Sequence, residues 1–382
     1  MRHYWLRAKD ALGFGIHPVR SIEEHLRGAA DWLLRAQAAT PDDGVAHSYD
    51  VRAGRWLASY PETTGYIIPT FFDYALHFDV PACADAARRM ALWEVAEQLP
   101  DGGIRAGTMD AEVVVPTVFN TGQVLFGLAR AATETGDAHI KAALVRAADW
   151  LVAAQDADGC WRRFQSPFTT TKTAAYNTRS AFGLVRAFAV VPDRKYLDAA
   201  DRNVAWALET ARPNGWLPGN CLTENADDSA LTHTIAYSIR GILEVGLAVR
   251  KPHYVERALA MAREVAAQQN ADGSLPAYLS PQWTRRAEWT CVTGNSQMAI
   301  NWLRLARETG ESTFVDNARR ANRFNMSVQD LTHADPALRG ALKGSHPISG
   351  GYMTWRYPNW AAKFFMDALM LEALNDRVHD IG

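Results

Sequence analysis

A helix ending in a glycine turn recurs along the chain, in "AADWLLRAQAATPDDG" (29–44), "RRMALWEVAEQLPDGG" (88–103), "RAADWLVAAQDADGCW" (146–161), "DRNVAWALETARPNGW" (201–216) and "ALAMAREVAAQQNADG" (258–273). The turn glycines Gly44, Gly102, Gly159, Gly215 and Gly273 lie roughly 57 residues apart, a spacing typical of two-helix units. A sixth unit with a longer insertion runs through "NARRANRFNMSVQDLTHADPALRGALKG". Each unit carries a second helix richer in apolar and small residues: "TTGYIIPTFFDYAL", "NTGQVLFGLARAA", "NTRSAFGLVRAFA", "THTIAYSIRGILEVG", "GNSQMAINWLRLAR" and "NWAAKFFMDALMLEAL". Their hydrophobic residues fall three and four apart or run almost continuously, which predicts burial on most sides. An open solenoid needs polar cap repeats, and none is present; closure lets the end faces bury each other. The expected fold is therefore all-α, an (α/α)6 toroid of six inner and six outer helices, with residues 21–382 as a single domain behind an N-terminal arm, 1–20.

No segment approaches eighteen uninterrupted apolar residues, so no membrane span is expected. The start, "MRHYWLRAKDALGFG", lacks the apolar core of a secretory signal, and a cytoplasmic protein is expected. A formal charge of -2 gives no global attraction to nucleic acid. Cys83, Cys160, Cys221 and Cys291 are far apart with no CxxC pair, the pattern of reduced, packed thiols. A zinc site through Cys291 and His346 would lack a ligand-spaced pair, and no phosphate-binding glycine loop is present. Neither a metal nor another cofactor is expected.

The turn "QDADGCW", with Gln155, Gly159 and Trp161, is similar to the Q-x-x-D-G-x-W repeats of the terpenoid-cyclase and protein-prenyltransferase toroids. Weaker copies occupy Gln98–Gly102 and Gln269–Gly273. The stretches "SYPETTGYIIPTFFDYA" (59–75), "LTHTIAYSIRGILE" (231–244), "WTCVTGNSQMAINWLRL" (289–305) and "GSHPISGGYMTWRYPNWAAKFF" (344–365) resemble an uncharacterised toroid family found among bacterial exopolysaccharide biosynthesis proteins. That resemblance covers nearly the whole chain and implies a toroid connected with a bacterial glycan. The wider likeness to polysaccharide lyases and uronyl C5-epimerases is architectural, and a shared fold does not assign a function.

The inner helices begin with polar residues that a purely structural ring would not need: Glu62, Thr63 and Thr64; Asn120, Thr121 and Gln123; Tyr176, Asn177 and Arg179; His233, Tyr237 and Arg240; Asn295, Ser296 and Gln297; Asn359 and Lys363. Capping accounts for Thr121, Asn359 and Asn120. It does not account for Arg179, His233, Tyr237 and Arg240, since a cation near a helix N-terminus opposes the dipole. His233, Tyr237 and Arg240 are spaced i, i+4, i+7 and share one helical face. Such a set suits a sugar carboxylate, with arginine reading the carboxylate, amides the hydroxyls, and Trp or Tyr stacking on sugar rings.

The expected function is action on an acidic, uronate-containing polysaccharide or oligosaccharide, by lyase-type or C5-epimerase-type proton abstraction. Arg179 and Asn177 are expected to hold the carboxylate, His233, Tyr237 or Tyr176 to transfer protons, and Glu62 to serve as a partner acid or base. Asn120, Gln123, Arg240, Asn295, Gln297, Trp289, Trp355, Asn359 and Lys363 are expected to bind substrate. Three alternatives remain open at this stage. A glycoside hydrolase would need two carboxylates from among Glu62, Glu224, Asp227, Asp228 and Glu288. A class II terpene-cyclase-like enzyme would use Asp227 of "NADDSA", similar to the aspartate-rich motif of those cyclases, although Asn225 replaces its first acid. A noncatalytic glycan-binding protein would use loop tryptophans, of which Trp161 and Trp216 are better explained by packing.

Overall fold

The computed structural model describes residues 15–374 together with Ala8, Asp10 and Leu12. Within them, connections between helices alternate between very short and long, and this alternation positions the site. Six outer helices, α1 (Ile22–Ala38), α3 (Pro81–Glu97), α5 (Ala138–Ala154), α7 (Arg194–Glu209), α9 (Pro252–Ala266) and α11 (Thr313–Ser327), alternate with six inner ones. The inner helices are α2 (Pro61–Phe78), α4 (Val118–Thr135), α6 (Thr178–Val190), α8 (Thr232–Ala248), α10 (Val292–Thr309) and α12 (Asn359–Leu374). Each inner helix passes to the next outer one through two or three residues. Left-handed C-caps at Asp79, Gly136 and Gly310 stop α2, α4 and α10, and Pro81, Asp137, Asp193 and Pro252 restart the chain as an outer helix. The return from outer to inner is long every time, so all the long loops lie at the N-terminal ends of the inner helices.

Consecutive inner helices contact one another and α12 contacts α2, so the chain forms the closed (α/α)6 toroid expected from its repeat. Small residues allow the close approach: a Cβ on Gly127 of α4 would lie 2.1 Å from the Gly65 carbonyl oxygen of α2, and one on Gly241 of α8 would lie 2.2 Å from that of Thr178. Among the described residues, seven strands of two or three residues tie the long loops together. They have no hydrophobic periodicity to betray them in the sequence. Among them, β1 (Ser48–Asp50) pairs antiparallel with both β2 (Arg55–Trp56) and β7 (Arg356–Pro358), joining the first and last repeats.

The recurrent glutamine–glycine turn proves to be a staple of the outer ring. Gln155 Nε2 donates to the carbonyls of Gly159 in its own turn (3.0 Å) and Ala199 of the next outer helix (2.8 Å). Gln98 does the same to Gly102 and Ala143, and Gln269 to Gly273 and Asn317. The last repeat closes onto the first, where Gln329 Nε2 reaches Gly340 (2.8 Å) and His25 of α1 (3.2 Å). The Q-x-x-D-G-x-W likeness to cyclase toroids is thus explained by architecture. Trp161, in the same motif, is buried and donates to the Leu151 carbonyl at 3.0 Å.

Gly159 has φ +91°, and a Cβ there would sit 2.3 Å from the Arg202 carbonyl oxygen. Gly310 has φ +75° with open space around it, so it isolates the backbone term. Gly159→Ala is expected to destabilise by more than the ~1–3 kcal/mol typical of left-handed strain, and Gly310→Ala to stay within that range. Urea unfolding measures both; equal losses would contradict the stapling role.

The expected arm, 1–20, lies largely outside the described residues, as does 375–382 at the end of the expected toroid domain. Of the described part, Asp10 pairs with Lys343 at 2.6 Å and accepts the Ile348 amide at 2.7 Å, and the His17 amide donates to the Ser327 carbonyl at 2.7 Å. No described helix is long and apolar enough to cross a membrane.

Candidate active site

The long loops and inner-helix starts enclose a cavity of about 490 Å³, within the roughly 300–1,000 Å³ usual for small-molecule sites. Tyr60, Glu62 and Tyr66 come from the start of α2, Phe119 and Asn120 from α4, Tyr176 from the turn before α6, His233, Thr234 and Tyr237 from α8, and Trp360 from α12. Loops add His47, Asp110, Phe168, Tyr352, Met353 and Arg356. Aromatic side chains are prominent in the wall. His233 packs against Tyr237 and Tyr352 with ring centroids 4.5 and 5.3 Å apart, and His47 against Trp360 at 4.8 Å.

Of the expected catalytic residues, Glu62, Tyr176, His233 and Tyr237 line this cavity, as does Asn120 from the expected binding set. Glu62 faces the cavity and not bulk water, and burial pushes its carboxyl up to about 7 against the opposing hydrogen bond from the Tyr60 hydroxyl. Both protonation states are therefore populated near neutral pH. Burial pushes His233 down to about 4, with Arg179 adding to the effect and the Gln297 hydrogen bond resisting it. His233 is neutral at pH 7. Its Nδ1 lies 2.7 Å from Gln297 Oε1; an oxygen there accepts, which puts the proton on Nδ1 and leaves Nε2 with a lone pair. Gln297 also hydrogen-bonds the Tyr237 phenol, which contacts Tyr66 in turn. Burial raises the phenols of Tyr237 and Tyr176, so both remain proton donors.

The other expected site residues lie behind the wall, because their positions on the inner helices turn them into the helix–helix packing. Arg179 is buried among the rings of Phe126, Phe182 and Tyr237, at 4.3, 5.3 and 5.7 Å, and its Nε contacts Gln123 Oε1 at 3.4 Å. It supports Tyr237 from beneath and does not line the cavity as a carboxylate holder would. Asn177 is likewise buried and absent from the lining, with both amide atoms lacking a hydrogen-bond partner. Arg240 pairs with Glu244 at 2.8 Å and Lys363 with Asp367 at 2.5 Å, so these two cations, expected to bind substrate, are inside the ring. Asn295 links α10 to Asn325 of α11 at 3.1 Å, and Asn359 joins Ala46 and Thr63 at 3.0 and 2.8 Å, closing the ring. Gln123, Gln297, Trp289 and Trp355 are also absent from the lining; Trp355 is covered by Arg52 at 5.1 Å.

Asp227 lies outside the cavity, 3.6 Å from Arg286 near the surface, which removes the proton donor of a cyclase reading. Asp228 braces Arg212, the Trp216 indole and the Gly219 amide at 2.8, 3.1 and 3.0 Å. Cys291 and His346 fall on the paired strands β5 (Thr290–Cys291) and β6 (Ser345–His346), and among the described residues no group of three or more potential ligands could hold a metal.

Sequence reasoning missed Tyr60, Tyr66, His47, Phe119, Phe168, Tyr352, Trp360, Asp110 and Arg356. Tyr60 and Tyr66 flank Glu62 in "YPETTGY", and Trp360 follows Asn359 at a helix start, so those three carried a positional clue. The loop residues carried none.

The sequence matches no protein-family model and no curated protein. Among solved structures, the chain is similar to an unsaturated glucuronyl hydrolase specific for heparin, with a TM-score of 0.74 and 17% identity, covering 94% of this chain and 98% of that one. It is also similar to a D-mannose isomerase (TM-score 0.71, 13% identity, 92% and 97% covered) and to cellobiose 2-epimerase from Bacillus thermoamylovorans (0.70, 10%, 91% and 98%). At such identities the likeness establishes the toroid fold.

Proposed function

We propose that this chain is a carbohydrate-active enzyme of the epimerase or hydrolase type, with Glu62 and His233 as its proton-transferring pair. The observation that carries the reading is Glu62 itself, a cavity carboxyl poised near neutrality in the same aromatic pocket as a neutral, oriented imidazole. A proton donor works best when its pKa lies near the working pH. Protonated Glu62 delivers a proton, and His233 Nε2 accepts one; inverting a sugar carbon through a carbon-bound proton requires one group of each kind. The aromatic side chains of the wall offer stacking faces. Toroids of similar fold that act on glucuronides, mannose and cellobiose support a saccharide substrate. A cavity of this size favours an oligosaccharide or chain end over the middle of a polymer. The resemblance to exopolysaccharide-associated toroids favours a bacterial exopolysaccharide fragment handled in the cytoplasm.

Hydrolysis is the second reading, because Asp110 lines the same cavity as Glu62 and supplies a second carboxylate. Incubation with glucuronate-terminated oligosaccharides in deuterated water separates the reactions. Deuterium on a ring carbon without cleavage marks epimerisation, new reducing ends mark hydrolysis, and absorbance of an unsaturated product marks elimination. Binding without any of the three would leave a glycan-binding protein and end the enzyme reading.

A further inference from the structure

We infer that Arg356 anchors the carboxylate of a uronate in this cavity, held in position by Asp50, an assignment that rests on the saccharide reading above. Asp50 and Arg356 are register partners across β1 and β7. The Asp50 carboxylate is itself fixed, since Oδ1 accepts the amides of Arg52 and Ala53 at 2.8 and 2.9 Å. Its other oxygen, Oδ2, takes Arg356 Nε at 3.3 Å. An arginine tied through Nε keeps its two terminal nitrogens as a planar fork, and that fork matches the two oxygens of a carboxylate.

Among the described residues, Arg356 is the only arginine or lysine lining the cavity. Arg179, expected to hold the carboxylate, and Arg240 and Lys363, expected to bind substrate, are sealed into the ring. The charge balance also selects the anion. One guanidinium already shared with Asp50, with Asp110 and the partly ionised Glu62 elsewhere in the lining, disfavours a phosphate dianion more strongly than a single negative charge. The sugar recognised is therefore a uronate, its ring among the aromatic side chains and its carboxylate towards Arg356.

Calorimetric titration of the full chain with methyl β-D-glucuronide, methyl β-D-glucoside and glucose 6-phosphate tests this. A hydrogen-bonded charge pair of about 1.5–3 kcal/mol corresponds to a preference for the glucuronide of roughly tenfold to a hundredfold over the glucoside. Arg356→Met is expected to bring that ratio close to one, and Arg356→Lys, which keeps the charge but loses the fork, to give an intermediate ratio. The unfolding midpoints of both variants establish that they are folded. Equal affinity of the native chain for the two glycosides, a preference that survives in Arg356→Met, or tighter binding of glucose 6-phosphate than of the glucuronide would each overturn the assignment while leaving the saccharide reading intact. Failure of the native chain to bind any of the three sugars would instead remove the saccharide reading, and this one with it.

Discussion

Glu62→Gln is expected to lower kcat by about 10²–10⁴-fold, the usual contribution of a positioned proton donor. Glutamine keeps the shape of the side chain and can still accept the Tyr60 hydroxyl, but it has no proton to deliver. The pH profile sharpens the test. With its carboxyl near 7, Glu62 loses its proton as the pH rises through neutrality, so native activity falls on the alkaline side and the variant's residual activity lacks that limb. Stability falls in the same direction. The folded-state pKa lies above the ordinary 4.5, so the folded chain holds the extra proton between about pH 4.5 and 7 and loses stability as pH rises through that window. Glu62→Gln removes this loss. Its melting temperature should exceed that of the native chain at pH 8 and approach it at pH 4.5. Native-like turnover, or an alkaline limb that persists in the variant, would exclude Glu62 as the donor.

The contrast between Glu62 and Arg179 shows how far the sequence could be followed. Both stand near the start of an inner helix, where the long connections gather. Repeat length, glycine turns and the two classes of helix made the ring legible because each follows from periodic burial along a local stretch. Which way a side chain turns from an inner helix depends on the rotation of that helix against both neighbours, and no local pattern encodes it. Arg179 therefore looked like a ligand-binding cation and lies instead against Phe126 and Phe182. Arg356 and Tyr352 come from a loop with no periodicity, and Arg356 acquires its place only by pairing with a strand more than three hundred residues earlier. The glutamine of the Q-x-x-D-G turn had the opposite history, as a motif suggestive of chemistry that serves the outer ring.

The packed centre of the ring beneath the cavity carries the largest expected effect on stability. Lys363 and Asp367 are fully buried one helical turn apart on α12, 2.5 Å from each other, with Thr70 of α2 donating to the second carboxylate oxygen at 2.7 Å. Burial holds the Lys363 ammonium down to about 8 against the pull of Asp367, with Arg179 and Arg240 adding to the effect through space. Asp367 is the carboxylate paired with Lys363, while Glu244 pairs with Arg240. Asp367→Asn preserves shape and the Thr70 contact but removes the negative charge, and loss of one partner of a buried pair costs about 3–5 kcal/mol. The loss should depend on pH. A lysine whose folded-state pKa is depressed gives up its proton more readily folded than unfolded, so raising the pH from 6 to 9 relieves the uncompensated charge and recovers part of the stability. Replacing both partners, as Lys363→Met with Asp367→Leu, removes the ion pair and its desolvation together and should restore most of the loss. Urea unfolding of the three proteins at pH 6 and 9 decides the matter. A loss below about 1 kcal/mol for Asp367→Asn at pH 6, or a double variant no more stable than the single one, would mean that the centre of the ring does not depend on this pair to hold its charge.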